Sequence, residues 1–183
     1  MKLSDPSSQL NLEIIIRDKK WKYELPNIES ICKISAGVAF EAVKKTEAMY
    51  EVALVLCDDD FITALNKRYR NIDSPTNILS FPSNSINPAD TGFINEPEMQ
   101  TLMLGDIAIA REIVVHEARE LEISLEDHLR HLIIHGLLHL LGYSHETDHD
   151  AIAMESLETS LLGEMGVGDP YAVHGEKHDG EVT

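Results

Sequence analysis

The sequence predicts a single α+β domain, a small mixed sheet of about four strands packed with about five helices, and three observations lead there. Short runs rich in β-branched residues alternate with longer apolar patterns of helical period. Their order is strand, helix, strand, helix, strand, long loop, strand, and then helices only. The chain's 183 residues, 43% hydrophobic and 26% charged, suit one soluble core of ordinary size. The expected organisation is a flexible N-terminus over 1–10, the domain over 11–162, and a loose, Gly-rich polar tail over 163–183.

Leu12-Glu-Ile-Ile-Ile-Arg17 reads as the first strand. Pro26 and Asn27 give a helix start, and Ile28, Ile31, Ile34, Val38 and Phe40 to Val43 continue with helical spacing, so a helix is expected over 27–43. Tyr50 to Leu56 forms a largely buried strand, closed by Asp58, Asp59 and Asp60, which can cap a helix over about 59–70. Asn71 to Thr76 is turn chemistry, and Asn77 to Phe81 a short strand. Residues 82–101, with three prolines, form a loop of unusual length that reads either as a flap over a site or as a surface insertion. Leu102 to Ile109 resumes as a strand and Ala110 to about Glu122 as a helix. Ser124 with Asp127 resembles a capping box opening a helix over 125–141, Gly142 supplies the left-handed residue that ends it, and Thr147 to Leu162 is a last amphipathic helix.

The charge balance bounds the partners. Asp and Glu number 32 against 15 Lys and Arg, a net −17, which opposes broad electrostatic attraction to nucleic acid but leaves room for a local basic groove. The bases cluster at Arg17 to Lys22, at Lys44-Lys45 and at Lys67-Arg68-Tyr-Arg70; the first two clusters read as solvated faces. No apolar run is long enough to cross a bilayer, and the start MKLSDPSSQLNLEIIIRDKK lacks the pattern of a secretory signal, so the expected compartment is the cytoplasm, with no membrane partner. Cys32 and Cys57 sit in apolar segments and read as small buried thiols.

The segment HGLLHLLGYSH, from His135 to His145, carries the chemistry. Residues four apart on a helix share a face about 5–6 Å apart at Cβ, so His135 and His139 can aim two imidazoles at one point. Gly142 lets the chain leave the helix, and His145 can fold back toward the same point. Three imidazoles around a divalent ion leave a fourth position open, the mark of a catalytic rather than a closed structural site. Zinc is the first expectation, and nickel, copper or iron accept similar ligands. His128 and His131, earlier on the same helix, read as cap or surface groups. In the metallopeptidase pattern H-E-x-x-H a glutamate follows the first histidine as general base; Gly136 stands there, which disfavours peptide hydrolysis.

These residues resemble the H-G-x-L-H-L-x-G-Y-D-H signature of the YbeY endoribonucleases, bacterial rRNA maturation factors. Leu65-Asn-Lys-Arg-Tyr-Arg70 followed by Asp73-Ser-Pro-Thr-Asn-Ile-Leu-Ser-Phe81 is similar to the family's L-N-x-x-Y-R-x-x-D-x-P-T-D-V-L-S-F, and Leu104-Gly-Asp-Ile107 to its L-G-D-I. The resemblance spans about residues 50–162. It implies a zinc-dependent, single-strand-specific endoribonuclease acting in 16S rRNA 3′-end maturation and ribosome quality control, with a metal-bound water attacking the phosphodiester. It implies one metal per chain on His135, His139 and His145, a catalytic role for Arg70 as a phosphate clamp, and RNA of the small ribosomal subunit as partner, alongside ribosomal proteins and an assembly GTPase. Lys67 and Arg68 would extend a local RNA-binding groove beside Arg70. Two positions depart from the family pattern, Ser144 and Asn77, each where aspartate is common, and Ser144 removes a carboxylate that could orient a ligand. The competing readings are a metallohydrolase of peptide or amide substrates, and a non-catalytic ribosome-assembly factor with a structural metal.

Overall fold

The computed structural model describes residues 9–44, 48–83 and 101–172. Ten elements follow one another: β1 (Leu10–Ile16), α1 (Trp21–Glu24), α2 (Ile28–Val43), β2 (Met49–Cys57), α3 (Asp59–Arg70), β3 (Ile78–Pro82), β4 (Thr101–Ala110), α4 (Arg111–Glu120), α5 (Leu125–Leu140) and α6 (Asp148–Glu164). The four strands form one mixed sheet in the order β1-β2-β4-β3, with β1, β2 and β4 parallel and β3 antiparallel to β4. This is the α+β arrangement that the segment order predicts, with six helices among the described residues where about five were expected. The chain divides into two compact units, one up to Gly142 and one from Tyr143.

In the first unit the sheet is the frame. The parallel strands are joined by helical crossovers, as parallel pairing requires. The two faces of β3 and β4 are set by side-chain alternation: Ile78 and Ile107 point toward α5, whereas Leu79, Ala108 and Ala110 join Cys57 and Ile62 of α3 in a buried cluster on the other face. Gly105 makes the β3–β4 pairing possible. It has φ +135°, and a Cβ there would stand 2.1 Å from the Phe81 carbonyl oxygen. The register slips by one residue beside it, between Glu51 and Val52 of β2. Pro82 ends β3 at the sheet edge, where a missing N–H is tolerated.

The helix starts follow local chemistry. Asp58 accepts a hydrogen bond from the Phe61 amide at 2.9 Å, and Ser124 accepts one from the Asp127 amide at 3.0 Å, the serine half of the expected box. Asn27 precedes α2 as expected, but its side chain makes no cap bond. Gly142 has φ +95° just after α5. Cys32 and Cys57 are both buried free thiols, and burial pushes each up to about 12, so neither is a nucleophile at neutral pH.

The helix that the sequence did not announce is α1. Trp21 sits in a stretch read as a solvated basic face, yet it is fully buried and its indole N–H donates to the Cys57 carbonyl at 3.2 Å. Its neighbours are likewise bound into the structure. The Arg17 guanidinium lies 4.2 Å over the Phe61 ring, and Asp18 pairs with the buried Arg111 at 2.6 Å. The bases of this stretch, Arg17, Lys19, Lys20 and Lys22, are exposed as that reading has them, and what it overlooked is the buried tryptophan among them.

The second unit is built on α6. Thr147 caps it, accepting from the Asp150 amide at 3.2 Å. The helix continues two residues past the expected end, and residues up to 172 turn back along it. Thr159 donates to Asp169 at 3.2 Å, and the Tyr171 hydroxyl donates to Glu158 in a short bond. Burial, and then the Glu158 carboxylate, push the Tyr171 phenol well above its ordinary range. Residues 1–8 of the expected flexible start, most of the expected 82–101 loop, and 173–183 of the expected tail lie outside the described residues. Leu10, the last residue of that start, already pairs with Tyr50 in β1.

Candidate metal centre

The site is built on α5, whose geometry begins with what the helix must do on its inner side. Leu129, Leu132, Ile133, Leu137 and Leu138 are buried, and so is Gly136. A Cβ on Gly136 would meet Ile78 Cδ1 at 2.8 Å and Ile107 at 3.2 Å, so the glycine is what lets α5 lie close on β3 and β4. Ser80 on β3 donates to the Gly136 carbonyl at 3.4 Å across the same contact. A peptidase glutamate at this position would therefore point into the sheet rather than toward a substrate.

The helix face beside that contact carries a row of histidines at 128, 131, 135 and 139. Successive ring centroids are 6.4, 6.2 and 4.5 Å apart. His135 and His139 form the tight pair: their Nε2 atoms face each other at 3.0 Å with the rings nearly perpendicular, 83°. The pair fits a divalent cation. Two imidazole nitrogens bound tetrahedrally at about 2.0–2.1 Å stand roughly 3.3 Å apart, so an outward movement of a few tenths of an ångström makes both into ligands. His145 is exposed and belongs to the second unit, six residues beyond His139 along the chain.

His128 corrects the reading of the sequence. It is neither a cap nor a surface group but is 5% exposed, and its Nε2 lies 2.8 Å from the Glu117 carboxylate of α4. Glu117 also accepts both of its bonds from the Asn77 side-chain amide, at 3.1 and 3.2 Å. Burial opposes the Glu117 charge, but the bonds from His128 and Asn77 outweigh it and hold the carboxyl below its ordinary range. Asn77 thus donates to a carboxylate. An ionised aspartate at that position has no donor to offer, so the departure from the family pattern is matched by its local partner. The sequence signal that could have found this network is the helical phase of His128, on the same face as His135 but next to the apolar Leu129 and Leu132.

The predicted basic residues lie elsewhere in the first unit. Lys67, Arg68 and Arg70 occupy the last turn of α3, which packs on the sheet face opposite α5, and all three are exposed. Their charges suit the helix C-terminus. Lys67 pairs with Asp73 at 2.6 Å, both side chains well solvated, so the pair adds little to stability. The structure brings His135 and His139 together on α5, and it groups Arg70 with Lys67 and Arg68 at the end of α3.

Comparison with known proteins agrees with this layout. A family model described as Endoribonuclease YbeY matches residues 13–166. A protein named endoribonuclease YbeY from Bradyrhizobium diazoefficiens is 42% identical over 170 residues, covering 93% of this chain and 89% of its own. One of the same name from Rhodospirillum rubrum is 48% identical over 122 residues, covering 67% of this chain and 58% of its own. The solution structure of a Thermotoga maritima protein shares the fold, with a TM-score of 0.52 at 21% identity over 93% of this chain and all of that one. No described helix is long and apolar enough to cross a membrane. The three motifs read in the sequence lie on α3 with β3, on β4, and on α5 with the turn after it, and the chain that carries them belongs to the YbeY endoribonuclease family.

Proposed function

We propose that this chain is a metal-dependent, single-strand-specific endoribonuclease of the cytoplasm that acts in 16S rRNA 3′-end maturation and ribosome quality control. The observation that carries the proposal is the facing His135 and His139 pair on a helix whose sheet side is closed by Gly136. His135, His139 and His145 would hold one divalent ion, zinc first, and their neutral nitrogens are the right donors for it. When bound, such an ion supplies Lewis acidity and a nucleophile at neutral pH. The remaining steps fall to the chain. Arg70, exposed at the end of α3, would grip a phosphate in a bidentate way and stabilise charge as the phosphodiester is cleaved. Lys67 and Arg68 would hold the neighbouring backbone, giving a chain of net charge −17 a local place for an anion. Precursor rRNA of the small subunit would be the substrate, with ribosomal proteins and an assembly GTPase as further partners.

Against a peptidase reading stands Gly136, which leaves no room for that chemistry's glutamate. A purely structural metal would leave cleavage independent of Arg70. The test is elemental analysis of protein purified without added metal, wild type beside His135→Ala, with cleavage of an unstructured RNA followed in both. About one zinc per chain, lost together with cleavage in the variant, is expected. Cleavage that survives the loss of metal would refute the mechanism.

A further inference from the structure

Tyr69 stands out on the surface of the first unit. It is 58% exposed and is held rather than loose. Its ring lies 5.0 Å from that of Phe81, tilted at 58°, and Phe81 packs in turn against the buried cluster of Cys57, Ile62 and Leu79. The Arg68 guanidinium lies 5.4 Å from the Tyr69 centroid, and Lys67 and Arg70 flank it in the same helical turn. A largely exposed ring anchored from behind, with one guanidinium beside it and two further cations in the same helical turn, is the composition of a surface that stacks a nucleobase while its neighbours hold phosphates.

Position adds direction to this. Phe81 belongs to β3, the edge strand, and faces the α3 side; its neighbour Ser80 faces α5 and bonds to the carbonyl of Gly136, next to His135. Adjacent residues of one edge strand thus face Tyr69 on one side and the helix that carries His135 and His139 on the other. We propose that Tyr69, backed by Phe81 and with the Arg68 guanidinium beside it, stacks an unpaired base of the RNA next to the phosphate that Arg70 holds. Tyr69 is then a positioning residue: it orders the substrate and explains why an unpaired strand is needed, since a paired base cannot lay its face on the ring.

This inference rests on the RNA reading above, and the experiment separates the two. Binding of a fluorescent, unstructured twelve-nucleotide RNA is measured by anisotropy with the full chain, wild type beside Tyr69→Phe, Tyr69→Leu and Tyr69→Ala. The same RNA is then used with a single abasic position moved along it. Tyr69→Phe should bind as wild type, while Tyr69→Leu and Tyr69→Ala weaken binding roughly five- to a hundredfold. In cleavage, KM should rise and kcat stay within about twofold. One abasic position should weaken binding to wild type by a similar factor and have no further effect on Tyr69→Ala. That scan on the unaltered protein decides the matter even if a variant folds poorly. Wild type that binds with no sensitive position, or Tyr69→Leu that binds as wild type, overturns the stacking role and leaves the RNA reading intact. Wild type that binds no RNA at all overturns both.

Discussion

Histidines 128 and 139 lie on one helix and on one face, eleven residues apart, and their surroundings suit them to opposite jobs. His128 is buried with its Nε2 on the Glu117 carboxylate, and that bond, with Asn77 beyond it, ties α5 to α4 and to the residue before β3. Its Nδ1 is buried without a hydrogen-bond partner among the described residues. The ring is therefore a structural strut, its Nε2 turned to the carboxylate that joins the two helices. His139, half-buried, faces another imidazole nitrogen at 3.0 Å instead of a carboxylate. Where a carboxylate meets a ring the N–H is consumed. Where two rings meet, a cation between them engages both lone pairs at once. What faces the ring, rather than its place in the helical pattern, decides between scaffold and ligand.

Exchanging either ring for alanine tests that division and gives the largest contrast. His139→Ala should lose bound metal and about a thousandfold in RNA cleavage, since a metal's share of the barrier is several kcal/mol at about 1.4 kcal/mol per factor of ten, while urea unfolding of the metal-free protein stays near wild type. His128→Ala should do the reverse. It removes a buried ring and strips Glu117 of a partner, for a loss of about 2 kcal/mol in stability, with cleavage per folded molecule retained. Loss of metal in His128→Ala at full folding would erase the distinction.

The same helix offers a sharper comparison between its two sides. Gly136 follows His135 directly but faces Ile78 and Ile107. Gly136→Glu writes the metallopeptidase pattern into the sequence and places its carboxyl against the apolar contact with β3 and β4. The expected result is a loss of roughly 3 kcal/mol or more from steric overlap and a buried charge, with no gain of peptide cleavage. Gly136→Ala should cost far less, because the atoms in its way are the ends of isoleucine side chains and alanine favours the helix. A stable Gly136→Glu protein would show that this face opens, and would return peptide chemistry to consideration.

The elements that could be read in advance were those whose local signals agreed. Asp58 and Ser124 sit where caps were expected and accept the expected amides, and the apolar runs of β2 and β4 form the two inner strands of the sheet. The tight pair of His135 and His139 needed only the helical repeat. What escaped the sequence depended on partners far along the chain. Trp21 is buried by Cys57, 36 residues away, and Arg111 by Asp18, 93 residues away. Glu117 reads as one acid among many on an exposed helix until Asn77 and His128 close on it. Periodicity reports which face of an element turns inward, but a polar contact between two elements is written in neither of them separately.

The smallest effect expected is the pH dependence of that hidden network. Burial works against the Glu117 charge and the bonds from His128 and Asn77 outweigh it, so the folded carboxyl titrates below its ordinary value of 4.5. A depressed carboxyl contributes stability above its unfolded value and loses it as pH falls through the folded one, which puts the loss below about pH 4.5. Asp18 acts in the same direction, since the bond from Arg111 outweighs the burial that would raise it. Asp59 acts oppositely, because burial, and then the nearby Glu112 carboxylate, raise it despite the Ile113 amide, so its protonation relieves a cost. Urea midpoints measured between pH 3 and 7 should therefore fall on the acid side for wild type and fall less for Glu117→Gln. The variant should also be less stable at pH 7, where the charge strengthens the bonds from His128 and Asn77. Equal acid slopes for the two proteins would mean that Glu117 is not held below its ordinary range, and that the tie between α4 and α5 rests on packing rather than on charge.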